Sequence, residues 1–399
     1  MEPGRTRVLE RPAKAAPADN FNVELEAIRG VAAVLVLLGH VRGFGYPLAG
    51  LPPAGRSLTE RLLLGPTSVA QESVSLFFVL SGHLVGGQVV RGLRRDDFDI
   101  PTYLIKRISR LFPVLVGALV VTSLADLMSR AVGPMSQPWM QGRGTSSVAT
   151  LVCNSAFLQP SRCSPFGSNG SLWSLGYEFW FYLAFAAAAL SVGSITRGRW
   201  VTSLMAGLGA VLCVLIFGTT LLLLIPAWLL GCGLSVIEPS LRSWVRRGRA
   251  ASLAFIASAG VCGLSMVASG ALVLDRPART LFVGVFAAPF ILLAGARRMR
   301  WAEAPWFLRA AARLGPWSYT LYAFHLPILL LILNIWIKWA LPMNPAVVYL
   351  GAVVVALVVF PFYGLFERHT PRLRNALLGQ YERYRSRVAL VHSRSEDAD

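Results

Sequence analysis

Runs of about 17–25 apolar residues alternate with short polar, mostly basic stretches from residue 24 to residue 366. A helix rises about 1.5 Å per residue, so runs of this length match the ~30 Å hydrocarbon core of a bilayer. Ten such segments can be placed, at about 24–43, 68–90, 111–130, 171–191, 201–217, 219–237, 251–274, 279–296, 317–340 and 346–366. The fifth and sixth meet almost directly around Gly218. The pattern predicts an all-α membrane protein, a polytopic bundle of about ten transmembrane helices. Residues 23–370 then form one transmembrane domain between two basic tails, a flexible one at 1–22 and another at 371–399. The first tail lacks the apolar core of a signal peptide.

Composition agrees with this: 55% of the residues are hydrophobic and only 15% charged, with a mean hydropathy of +0.56. The formal charge of +18 belongs to topology. With both termini in the cytosol, 28 of the 38 Lys and Arg fall in the tails and cytosolic loops and 9 outside, the remaining one being Arg29 within the first span. That asymmetry sets the orientation and suits anionic lipid head groups. No nucleic-acid motif, P-loop, G-x-S-x-G or cysteine–histidine cluster with metal-ligand spacing is present, so no metal and no bound cofactor are expected. Cys213, Cys232 and Cys262 lie within spans, whereas Cys153 and Cys163 share the longest outer loop, where an oxidising environment would join them.

Ionisable groups inside spans are expensive and mark functional paths by default. The candidates are Arg29, His40, Glu72, His83, Glu178 and His325. Arg29 and His40 are eleven positions apart, which returns a helix to nearly the same face about 16 Å further along. An arginine near a helix end ordinarily snorkels to the interface; a same-face pair points instead into one lumen. Glu178 falls at a depth comparable to His40, where a carboxylate would fix the imidazole tautomer and raise its basicity, as a general base requires. Arg107 and Arg110, three apart at the entrance to the third span, form a phosphate clamp or a simple positive-inside anchor. Ser81-Gly82-His83 in the second span and Ser318, Tyr319, His325 and Pro327 in the ninth add polar groups at unexpected depths. His325 either lines the inner lumen or satisfies carbonyls freed near Pro327.

Together these stretches resemble the acyltransferase-3 family, integral-membrane enzymes that O-acylate cell-surface glycans and some secondary metabolites. The resemblance covers about residues 21–370 and rests on five motifs in order. These are R-x10-H (Arg29 to His40), a relative of Ser-Gly-Phe (Ser81-Gly82-His83), R-x-x-R (Arg107 to Arg110), W-S-L-x-x-E-x-x-F-Y (Trp173 to Tyr182) and S-Y-x-x-Y-x-x-H-x-P (Ser318 to Pro327). His83 stands where the family has Phe, and Leu25-Glu26-Ala27-Ile28 replaces the commoner Leu-Asp-Gly-Leu before Arg29. No fused hydrolase-like domain, which some members carry, is expected.

The resemblance implies an acyl-CoA-dependent O-acyltransferase in the cytoplasmic membrane. Acyl-CoA, acetyl-CoA by default, docks at the cytosolic mouth on Arg29, Arg107 and Arg110. His40, oriented by Glu178, deprotonates an acceptor hydroxyl, and Ser81, His83, Trp173, Tyr177, Tyr319 and His325 line the substrate lumen. An acyl-histidine intermediate is equally compatible with these residues. The acceptor is a surface polysaccharide or glycolipid, or else a secreted small molecule such as a macrolide-type antibiotic sugar. The excess of Arg over Lys and the many Ala point to a bacterial, GC-rich source. The rival reading is a secondary transporter without chemistry, against which stand the ordered motifs and the lack of an internal repeat.

Overall fold

The computed structural model describes residues 22–48, 57–133, 146–245 and 249–396. The tail expected at 1–22 lies, Asn22 apart, outside the described residues. Ten helices are long and apolar enough to cross a membrane, and no strand occurs among the described residues. The first span is α1 (Val23–Leu48). The second is composite: α2 (Leu58–Leu64), α3 (Ala70–Ser81), a π turn at Gly82–Gly86 and α4 (Gly87–Arg95). Then come α5 (Ile100–Val132), the short loop helix α6 (Val148–Ser155), α7 (Trp173–Ile195), α8 (Trp200–Phe217), α9 (Thr220–Val245), α10 (Arg249–Ala271) and α11 (Arg276–Arg297). The ninth span joins α12 (Trp306–Leu314) and α13 (Ser318–Lys338). The tenth, α14 (Pro345–Phe362), passes through a second π turn, Tyr363–Glu367, into α15 (Thr370–Glu396).

Polar residues between the apolar runs start these helices. Ser57 and Glu60 form a capping box, and Asp99, Asp275 and Asn344 each accept from a backbone N–H in the first turn of α5, α11 and α14. Between α8 and α9 the chain reverses over Gly218, whose φ of 114° only glycine adopts readily. Pro327 lacks the N–H that would bond the Ala323 carbonyl, and Asn169 Nδ2 donates to that carbonyl at 2.9 Å. Cys153 and Cys163 are disulfide-bonded. Their loop is tied to the bundle where Gln159 Nε2 donates to the Leu172 carbonyl at 3.1 Å, just before α7.

α1 packs against α3, α12, α13 and α14, and the largest buried apolar cluster runs from it through α5, α7 and α13. The outward faces stay apolar: Val201, Leu204, Met205 and Leu208 of α8 are all exposed, as lipid contact demands. The π turn of the second span lies directly on α9. A Cβ at Gly82 would overlap the Trp228 carbonyl, and one at Gly231 the Val79 carbonyl. Small residues permit this backbone approach where no hydrophobic effect drives helices together.

Two differences from the sequence reading concern the site. The ninth span begins at Trp306, well before the expected 317, because the amphipathic α12 runs continuously into α13. The stretch expected as a basic tail at 371–399 contains a long helix, α15, packed along α5. Replacing Gly82 by Ala is expected to force α3 and α9 apart and to destabilise the fold by about 1–3 kcal/mol. A thermal midpoint in detergent equal to that of the unchanged protein would refute this close packing.

Candidate functional site

A cavity of about 320 Å³ opens in the bundle between α1, the second span, α5, α7 and α13. Its polar lining comes from Glu26 and Arg29 of α1, Ser81 and Gln88 of the second span, Arg107 and Arg110 of α5, Ser174, Glu178 and Tyr182 of α7, Ser318, Tyr319 and Tyr322 of α13, and Arg374 of α15. Periodicity explains the convergence. Arg107 and Arg110 share a face of α5, as do Ser174, Glu178 and Tyr182 at four-residue steps on α7.

At the centre, Glu178 Oε1 accepts from Ser81 Oγ at 3.2 Å and from the Tyr182 hydroxyl. Ser81 Oγ also accepts from Trp228 Nε1 at 3.2 Å. Arg107 is buried, with its guanidinium over the rings of Tyr103 and Tyr182 at 5.7 and 5.8 Å. One of its nitrogens reaches Gln88 Oε1 at 3.2 Å, and its Nε has no partner among the described residues. Arg29 is held by Glu26 at 2.9 Å and by Ser318 Oγ at 3.3 Å.

His40 and His325 are absent from the cavity's described lining, but they meet each other. His40 Nδ1 and His325 Nε2 are 2.7 Å apart, with near-parallel rings. His325 Nδ1 lies 3.0 and 2.8 Å from the carbonyls of Leu321 and Tyr322. Carbonyls only accept, so Nδ1 of His325 carries its proton and Nε2 its lone pair. His40 then donates from Nδ1 to that lone pair. Tyr322 joins the two regions: it lines the cavity, its ring centroid is 6.0 Å from that of His325, and its hydroxyl is 2.7 Å from Ser174 Oγ.

Several expectations are corrected by this geometry. The partner orienting His40 through Nδ1 is His325, while Glu178 bonds Ser81 and Tyr182. His325 belongs not to the inner lumen but to the depth of His40: from the ends at Trp306 and Val23, both lie about 26–28 Å along their helices. His83 lies outside the lumen, buried, with Nε2 3.1 Å from Glu238 of α9. Two helical positions from Ser81 is about 200° of rotation, which turns His83 towards α9. Tyr177, 100° from Glu178, packs edge-on against Phe217 of α8. Trp173 carries the Arg276 guanidinium 4.4 Å over its ring and is likewise not among the described lining. Glu72 pairs with Ser269 and Arg279 away from the site.

Sequence reasoning missed Glu26, Gln88, Ser174, Tyr182, Ser318, Tyr322 and Arg374 as cavity residues. Ser174, Tyr182, Ser318 and Tyr322 lie inside the quoted motifs and Glu26 one turn before Arg29, whereas Gln88 and Arg374 carry no local signal.

The acyltransferase-3 family model, described as an acyltransferase domain, matches residues 22–364. An O-acetyl transferase of Shigella phage Sf6 is 27% identical over 181 residues, covering 44% of this chain and 47% of the relative. The chain thus spans about half the length of the curated relative it matches. No solved structure matches the chain.

The geometry is open to a direct test. In a background lacking Cys213, Cys232 and Cys262, single cysteines at Ser81 and Gln88 are expected to react with a small water-soluble thiol reagent. Cysteines at His83 and Tyr177 are expected to stay protected in the folded protein. Labelling of His83→Cys as fast as Ser81→Cys would contradict the assignment of those two side chains to different faces.

Proposed function

The chain belongs to the acyltransferase-3 family, and from that footing we propose that it transfers an acyl group, acetyl by default, from acyl-CoA to a hydroxyl of a carbohydrate-containing acceptor such as a surface polysaccharide or glycolipid. The observation that carries this reading is the convergence of Arg29, Arg107 and Arg110 on one intramembrane cavity, with the His40–His325 pair beyond Tyr322. Guanidiniums suit phosphates through paired charge-assisted hydrogen bonds, and a long, thin donor arm suits a cavity leading inward. The basic asymmetry supports a cytosolic mouth and a site in the cytoplasmic membrane.

In this mechanism His40 Nε2 takes the proton of the acceptor hydroxyl as its oxygen attacks the thioester carbon. The C–S bond breaks, the new ester C–O bond remains, and the proton passes from His40 to the departing CoA thiolate. His325 holds the His40 tautomer and accepts from its Nδ1–H, an interaction that strengthens as the ring becomes charged. Glu178 does not orient the base in this scheme. Its carboxylate receives Ser81 and Tyr182 and offsets the charge of Arg107 and Arg110. Ser81 and Tyr319 line the donor path, and His83, Trp173 and Tyr177 support the wall from outside it.

The test is transfer of label from radiolabelled acetyl-CoA in membranes containing a lipid and polysaccharide acceptor pool. His40→Ala is expected to lose at least about a hundredfold in rate, the usual contribution of a general base. His325→Ala removes one hydrogen bond to a charged ring, worth about 1.5–3 kcal/mol, so kcat is expected to fall about ten- to hundredfold with KM little changed. Wild-type rates in His40→Ala would remove that residue from the reaction, and wild-type rates in His325→Ala would remove the pairing.

A further inference from the structure

Arg374 lies on α15, beyond the residues 22–364 that the family model matches. Its side chain nevertheless lines the intramembrane cavity and also a second, adjoining vestibule of about 430 Å³. The vestibule brings together Arg91, Arg95, Lys106, Arg107 and Arg374, with Asp97 as the one carboxylate of its described lining. None of these five cations forms an ion pair among the described residues. Like charges gathered in a half-enclosed space repel one another and concentrate anions. Gln88, Arg107 and Arg374 belong to both spaces, so a ligand with a charged head and a long arm could occupy the two together.

The position of α15 is fixed rather than incidental. Tyr381 donates from its hydroxyl to Asp99 Oδ1 at 3.1 Å, and Asp99 is also the residue that caps α5 through Thr102 N–H at 2.9 Å. Tyr381 follows Arg374 by seven positions, which puts both on nearly one face of the helix, about 10 Å apart. One side chain thus anchors the helix to the start of α5 while the other reaches the mouth between the two spaces.

We propose that α15 is part of the binding site, and that Arg374, with Arg91, Arg95 and Lys106, binds the phosphate-bearing end of the ligand whose arm enters the cavity. The proposal rests on the acyl-CoA reading, in which the phosphates belong to the nucleotide end of the donor. The same chemistry would serve the phosphate of an anionic lipid.

The test is equilibrium binding of CoA and of pantetheine, which has the arm but no phosphate, to the full-length protein in nanodiscs of phosphatidylcholine with or without phosphatidylglycerol. Arg374→Ala is expected to weaken CoA about tenfold and to leave pantetheine unchanged. Arg374→Lys should recover most of the loss, and Tyr381→Phe, which keeps the cation but frees its anchor, should fall between. CoA affinity unchanged in Arg374→Ala, with loss only of competition by phosphatidylglycerol, would assign the phosphate to lipid and overturn the nucleotide assignment. Unchanged CoA affinity and no lipid effect would overturn the site altogether. Wild-type protein that binds CoA no better than pantetheine would instead overturn the donor reading itself.

Discussion

An ionisable side chain within a membrane span has no water to solvate it, so it must find a partner on another helix or face a polar cavity. The bundle is organised by how each such group meets that demand. Glu72 of α3 meets Ser269 of α10 and Arg279 of α11, and His83 of the π turn meets Glu238 of α9. Glu24 of α1 accepts from the Met299 N–H and lies 3.5 Å from Arg297, while Glu367 accepts from the Thr320 N–H at 3.0 Å. Each of these contacts cross-links segments distant in sequence. Because removing one member would strand a buried polar group, they help to hold the register of the helices.

A second class of polar groups lines the cavity. Arg107 has a buried Nε with no partner among the described residues, and Arg110 lines the cavity with Arg29. The Glu178, Ser81 and Tyr182 group adjoins them, with the Arg107 guanidinium 5.8 Å over the Tyr182 ring, so the arginines of α1 and α5 share one cavity with the carboxylates of Glu26 and Glu178. Arg29 is positioned by Glu26 and Ser318, and Arg107 by Gln88 and the rings of Tyr103 and Tyr182.

Much of this was legible in the sequence, for physical reasons that also mark its limits. Hydropathy over windows of membrane length reports the spans directly, and the ten helices follow it. Same-face spacing on one helix is equally readable, hence the placement of Arg107 with Arg110 in one cavity. Relations between helices are not, because they depend on rotation and on where each helix begins. His325 appeared too shallow because the amphipathic α12 did not read as membrane-length apolar sequence, although it extends the span by more than two turns. His83 was assigned to the lumen because its chemistry matched, while the rotation separating it from Ser81 assigns it to α9. Glu238 escaped notice because it lies at the edge of its apolar run, and Arg374 because a basic helix after the last span looks, residue by residue, like a solvated tail.

The separation between the arginine-lined cavity and the histidine pair bears on any reaction performed here. Tyr322 stands between them, tied to Ser174 across to α7 and backed by His325 through both its ring and its carbonyl. On the acyl-transfer reading, a donor arriving from the basic end must displace or pass this tyrosine before its thioester meets His40. In that scheme the partition would hold water and the unreacted donor away from His40 until the arm is inserted, which favours transfer over hydrolysis. His40 is paired with a second imidazole, that of His325, and not with the Glu178 carboxylate, which bonds Ser81 and Tyr182.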